Sequence, residues 1–395
     1  MSRELTWSLV ASVISCLAVV AAIILAREVD LEYLFMADAL YLPSIYYDIV
    51  HGAGWAGLQE WLFNPAPNFF PDMGLFLALN GLLGDLRLAT YAFALVQLVV
   101  ILVLVRTIAR TSGLVQSDTG IALGILLMSL LALMGQWGGD FNITFQLLVN
   151  SYHTGAFVNT LLGVLLLIRW LQRGRAVHLV LLGLVIFLAA ASDKLFWAMF
   201  LLPTIAVQVI LLLRVSERKR LAIALGVLIL AAWCADRGLR TLDQAFSLNI
   251  ASPYAYLELD RITRSWGKFV EMYQWFLQGP LLMRWCTLLP LAATAWASYF
   301  GIRTLLVLVR HQPDAGALPT TTIRLLCAAF FPAVLLAPIL NGSFDGGDSI
   351  RYNYSVYMLA PLVLGMVIGN LLPRLTLLVM QTGTPLYGLF LLGTC

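Results

Sequence analysis

Apolar runs of about 15 to 20 residues recur from one end of this chain to the other, each near the length that crosses roughly 30 Å of hydrocarbon. They fall at 7–26, 88–105, 119–136, 154–168, 177–191, 195–213, 221–235, 284–302, 325–340, 354–371 and 376–394. Residues in so many such runs cannot all be hidden inside a water-soluble core. The 395-residue chain is 61% hydrophobic and 11% charged, with a mean hydropathy of +0.88, which excludes a soluble globular domain. The expected fold is all-α, a polytopic helical bundle of about eleven transmembrane helices forming one integral-membrane domain over 1–395. The first run follows a basic start, but "CLAVVAAIILAREVD" lacks a convincing cleavage site, so it reads as an uncleaved span. Five cysteines give no disulfide framework.

Charge sets the orientation. Arg106, Arg110, Arg169, Arg173, Arg175, Arg214, Arg218, Lys219, Arg220 and five further basic residues share one face with four acids. By the positive-inside rule that face is cytoplasmic, with the N-terminus on it. The connections there are short. The long segments lie outside: 27–87, 137–153 and 236–283. Charged residues are almost absent from mid-span, which argues against an ion or proton path through the bilayer and puts any chemistry at the outer water–lipid boundary. Short loops without a soluble domain point to a bacterial inner membrane. Nothing in the composition points to nucleic acid.

Within the first outer segment, "FMADALYLPSIYYDIVHG" predicts a helix opening at Pro43 and closing at Gly52, with Asp38 just before it. After "NPAPNFFP", the stretch 71–84 is apolar but too short to span, and reads as a helix lying in or on the outer leaflet. Downstream, 254–278 carries apolar residues at helical spacing interleaved with Arg261, Arg264 and Lys268, the pattern of an amphipathic helix resting on the membrane surface.

Candidate site residues follow from these placements. Asp38 is a carboxylate at the rim of a span, where low dielectric raises a pKa toward the working pH of a general base; the alternative is a helix cap. Lys194, Arg351 and Arg87 are bases beside spans on the face that otherwise avoids them, and could meet an anion. Local salt bridges, Lys194 with Asp193 and Arg351 with Asp345 or Asp348, explain the first two equally well, and snorkelling explains Arg87. Asp48, Asp140, His153 and Tyr352 are candidates for contact with substrate. A divalent cation shared by Asp38, Asp140 and His153 is conceivable, yet no metal-ligand spacing is present and no metal is assigned.

The first-loop acid, the juxtamembrane helix, "NPAPNFFP", the surface helix ending "LLGD" and the arginine opening the next span together resemble the N-terminal pattern of GT-C glycosyltransferases. Within that group they are most similar to the protein O-mannosyltransferase and aminoarabinose-transferase branch. The likeness covers about residues 1–110. "SDKLF" at 192–196 and "GDSIRYNYSVYMLAP" at 347–361 resemble outer-loop elements of the same group. The resemblance implies a GT-C-like fold and an inverting enzyme that takes a sugar from a polyprenyl-phosphate donor outside the membrane. Asp38 would be the base, and Arg351, Lys194 and Arg87 would lie near the donor phosphate. The acceptor would be a lipid or glycan, and membrane lipids would surround the site. Ala39 stands where the usual pattern has a second acid. Two other classes share the topology: an O-antigen polymerase or ligase, and a flippase or secondary transporter for lipid-linked sugars.

Overall fold

The computed structural model describes residues 4–25, 39–52, 54–113, 118–137, 153–215, 218–247, 250, 257–310 and 317–382. Among them the ordered elements are helical throughout. They run α1 (Glu4–Leu25), α2 (Tyr41–His51), α3 (Gly74–Leu83), α4 (Leu86–Thr111), α5 (Asp118–Trp137), α6 (Thr154–Arg173), α7 (Ala176–Ser192), α8 (Leu202–Arg214), α9 (Arg218–Phe246), α10 (Leu259–Gln278), α11 (Leu281–Arg310), α12 (Leu318–Leu340) and α13 (Tyr354–Thr382). Short turns of other pitch stand at Gly54–Glu60, Phe69–Met73, Trp197–Leu201 and Gly347–Tyr352.

Six helical stretches among the described residues are long and apolar enough to cross a membrane: Leu86–Thr111, Thr154–Arg173, Trp197–Arg214, Arg218–Phe246, Leu288–Arg310 and Leu318–Leu340. Six of the eleven predicted spans fall on them. Four more coincide with the shorter apolar helices Trp7–Ala22, Asp118–Leu130, Ala176–Ser192 and Tyr354–Gly369. The last prediction, 376–394, is met only in part: α13 continues without a break through 372–375, where a loop was expected, and 383–395 lie outside the described residues. Helix α9 also overruns its predicted end at 235 by three turns, so the first part of the expected outer loop 236–283 is helix. Helix formers such as Leu239, Leu242 and Ala245, with the i, i+4 pairing of Arg240 with Asp236 at 2.9 Å, carry it onward.

Successive long helices alternate in direction, so the bundle has two chemically different ends. At one end Asp118, opening α5, accepts hydrogen bonds from the Ser8 backbone N–H and hydroxyl, both at 2.8 Å, and pairs with Arg110 at 2.7 Å. Arg106 donates to the same Ser8 hydroxyl at 2.7 Å. One buried carboxylate thereby ties the start of α1, the end of α4 and the start of α5. The same end holds Arg220 bonded to the Leu171 carbonyl at 2.9 Å and Thr320 to that of Ser112 at 2.6 Å.

Across the bundle α5 and α13 cross with their backbones nearly touching. A Cβ added at Gly365 would lie 2.2 Å from the Gly124 Cα, and one at Gly369 would lie 2.2 Å from the Gly120 Cα. Lipid gives helices no hydrophobic reason to associate, so close backbone approach through small residues supplies the packing.

At the opposite end lie α2, α3 and α10. Helix α2 begins at Tyr41 rather than Pro43, because the Ser44 N–H already bonds the Leu40 carbonyl at 2.9 Å. Pro43 sits within the first turn, where its missing donor removes no intrahelical bond. The cap position falls on Leu40; Asp38 lies outside the described residues. The expected surface helix 71–84 exists but is entered through a kinked turn, with Phe70 extended, and is closed by Gly84 at φ +65°. Asp85 then caps α4 by accepting from the Leu88 N–H at 2.8 Å. Helix α10 buries Ser265, Met272, Tyr273 and Phe276, and packs Phe269 edge-on to Phe344, so the expected amphipathic helix lies across α11 and α12.

Candidate functional site

The segment before α3 threads into the end of the bundle, and hydrogen bonds to two helices hold it there. Ser192, the last residue of α7, accepts from the Asn68 N–H through its carbonyl at 3.0 Å and from the Phe70 N–H through its hydroxyl at 2.8 Å. Asn159 on α6 donates to the Phe70 carbonyl at 3.2 Å. Asn68, buried at φ +55°, completes the turn by accepting from the Met73 N–H at 2.9 Å. These bonds carry Asp72 inward.

Asp72 is 2% exposed, and one carboxylate oxygen has no hydrogen-bond partner. It lies against the first turn of α6, where the Gly155 N–H bonds it. A Cβ on Gly155 would stand 2.6 Å from both carboxylate oxygens, so only glycine admits the carboxylate there. Burial is the main cause that lifts its pKa from the ordinary 3.8 to about 7, and the like charge of Asp193 adds to it. His153 and the Gly155 N–H work against the rise.

His153 stands immediately before α6 in the left-handed conformation, φ +65°. Its Nδ1 lies 2.6 Å from an Asp193 oxygen, and the other oxygen of Asp193 accepts from the Leu195 N–H at 2.8 Å. The Tyr352 ring lies 5.3 Å from the imidazole, and the Arg351 guanidinium sits 5.3 Å over that same tyrosine. Tyr354, fully buried at the start of α13, brings its hydroxyl beside that of Thr154 and near both carboxylates, without a well-formed hydrogen bond. Four helix ends thus contribute one cluster: Asp72, His153, Asp193, Tyr354, with Tyr352 and Arg351 at its edge.

Of the residues picked from the sequence, His153, Tyr352 and Arg351 come together here. Lys194 follows Asp193 in the chain, but its partners differ from those expected. Asp193 pairs with His153, and the Lys194 ammonium is pushed down in pKa chiefly by burial, with Asp236 opposing and Arg240 assisting. Asp48 is spent on the fold: it accepts from the Trp61 indole N–H at 2.9 Å and pins α2 to the following turn. Arg87 is exposed in the first turn of α4. Asp38 and Asp140 lie outside the described residues. Asp72 and Asp193 are the acids that sequence reasoning did not select for the site. The signal for the first was available in "FFPDMGLFL", a lone acid entering an apolar helix. Nothing local marks the second, because its partner is 40 residues away.

No three His, Cys, Asp or Glu side chains gather into a metal-binding group among the described residues. In comparisons with protein families, with characterised proteins and with solved structures, nothing matches the chain.

Proposed function

We propose that the chain is a membrane-embedded glycosyltransferase that moves a sugar from a polyprenyl-phosphate donor to a lipid or glycan acceptor, at the bundle end bearing Asp72. The excess of basic residues at the other end makes this the outer face, periplasmic if the membrane is a bacterial inner membrane. The observation that carries the reading is Asp72: a buried carboxylate with an unpartnered oxygen, titrating near neutrality at about 7, at the ends of spanning helices. A general base works best when its pKa lies near the operating pH.

The chemistry balances as an inverting displacement. The acceptor hydroxyl oxygen bonds to the anomeric carbon from the side opposite the phosphate. The carbon–oxygen bond to the phosphate breaks and leaves its electron pair on the phosphate. The hydroxyl proton passes to Asp72. Arg351, held over Tyr352, puts positive charge at the cluster's edge to meet the negative charge that develops on the leaving phosphate. Asp38 is the base that the resemblance implies, so the two carboxylates are tested side by side.

Labelled sugar transfer from a panel of polyprenyl-phosphate donors, measured in reconstituted membranes, decides between them. Asp72→Asn should lower turnover at least about 100-fold with donor binding retained, the usual size of a lost general base. Full activity in Asp72→Asn with loss in Asp38→Asn returns the role to Asp38. An inert wild type with every donor removes the glycosyltransferase reading.

A further inference from the structure

A base that collects a proton at every turnover has to release it, and Asp72 has little contact with water of its own: it is 2% exposed and set against the first turn of α6. The groups around it differ in access. Asp193 is closed in as well, with its side chain 4% exposed, whereas the His153 side chain is 15% exposed. Imidazole can donate and accept at its two nitrogens. With Nδ1 engaged by Asp193 at 2.6 Å, Nε2 is the remaining exchange position. The buried Tyr354 hydroxyl feels the charge of both carboxylates and has the Thr154 hydroxyl next to it; neither is in a well-formed hydrogen bond, and both can turn to accept or donate. The segment carrying Asp72 is bonded to Ser192, the residue before Asp193, so the two acids are held by one stretch of backbone.

We propose that Asp72 and the His153–Asp193 pair form one proton-exchanging unit, in which His153 is the opening to water and the pair takes up the proton that Asp72 collects. This rests on the reading of Asp72 as the proton acceptor. The proton moves from the Asp72 carboxyl to the imidazole, relayed by the Tyr354 and Thr154 hydroxyls, and from the imidazolium to water; no bond between heavy atoms changes. The groups facing Asp72 are Asp193 from the end of α7, His153 from the start of α6 and Tyr354 from the start of α13. Tyr352 faces His153 from the turn before α13, and Arg351 lies over the Tyr352 ring. Lys194 faces Asp236 and Arg240 instead.

Infrared difference spectroscopy of the purified full-length chain, with no substrate, follows the protonated carboxyl band of Asp72, identified by its absence in Asp72→Asn. Asp193→Asn removes a like charge and should move the band's midpoint to lower pH. His153→Gln leaves Asp193 uncompensated and should move it to higher pH, each by about one pH unit. Opposite displacements are a signature that loosened packing does not produce. In the wild type alone, the His153 ring resonance, one of four histidines, should show an inflection at the midpoint of the Asp72 band, which needs no variant that folds poorly. An unmoved midpoint in both variants, or a His153 titration blind to Asp72, overturns the inference. If coupling is absent while Asp72→Asn still abolishes transfer, this inference falls and the proposed function stands. Coupling present in a chain whose Asp72→Asn form is fully active gives the reverse.

Discussion

Asp72 shows how much a single residue's role depends on what surrounds it. Burial is the largest cause of its raised pKa, so it holds a proton more tightly folded than unfolded. The stability conferred by that proton is complete below the ordinary carboxylate pKa and is lost as pH rises toward 7. The melting temperature of the detergent-purified protein should therefore fall between about pH 4 and pH 7, and Asp72→Asn should flatten that fall. A variant that keeps the wild-type slope would place the titrating group elsewhere. The site's tolerance is equally local. Gly155→Ala puts a methyl group 2.6 Å from both oxygens of Asp72, so the carboxylate or the α6 turn has to shift. The expected cost is roughly 1–3 kcal/mol of stability, together with a loss of sugar transfer. Gly155→Ala with wild-type transfer would show that Asp72's position does not matter to the reaction.

At the scale of elements, helix ends and helix crossings decide the arrangement. Left-handed residues end or begin helices where the chain has to turn sharply: Gly84 closes α3, and His153 precedes α6. The second is a non-glycine residue in a conformation that costs free energy, and it sits at the cluster. The α5–α13 crossing depends on Gly120, Gly124, Gly365 and Gly369. Gly124→Leu would drive a side chain into the α13 backbone, since even a Cβ would lie 2.8 Å from the Leu362 carbonyl oxygen. It should cost about 3 kcal/mol and release α13, whose first turn carries Tyr354; melting and transfer should both suffer. Gly81, on α3 with open space around it, is the control position, and Gly81→Leu should leave melting unchanged. Equal damage from both would mean that the crossing is not what holds α13.

Among the described residues the molecule is a bundle with one charged, clamped end and one end where Asp72, His153, Asp193 and Tyr354 are gathered in a buried polar cluster. The charge asymmetry predicts which faces the cytoplasm. Single cysteines placed at Arg175, beside the start of α7, and at Gln274, on α10, should react with a membrane-impermeant thiol reagent from opposite sides of sealed vesicles, Gln274→Cys from outside. Labelling of both from one side would remove the alternating arrangement, and labelling with the sides exchanged would invert the orientation. Under the proposed function the direction matters, since the polar end would then have to face the leaflet that presents the donor.

The sequence alone determined the class of solvent and most of the helices. Apolar runs of the right length have one stable answer in lipid, because backbone groups there have to be satisfied within each segment. The helices α3 and α10 were legible as well: α3 as an apolar stretch too short to span, and α10 as one apolar on one face only. Breaks inside apolar sequence were less legible, as α13 running on through 372–375 shows, since a proline and an arginine read as a loop until neighbouring helices are present. His153, Tyr352 and Arg351 could be picked out as polar residues beside spans. Their meeting, and the choice of Asp72 and Asp193 to join them, were decided only by tertiary structure. A pKa near neutrality belongs to an enclosure made by four helix ends rather than to an aspartate, and no local pattern of residues encodes that enclosure.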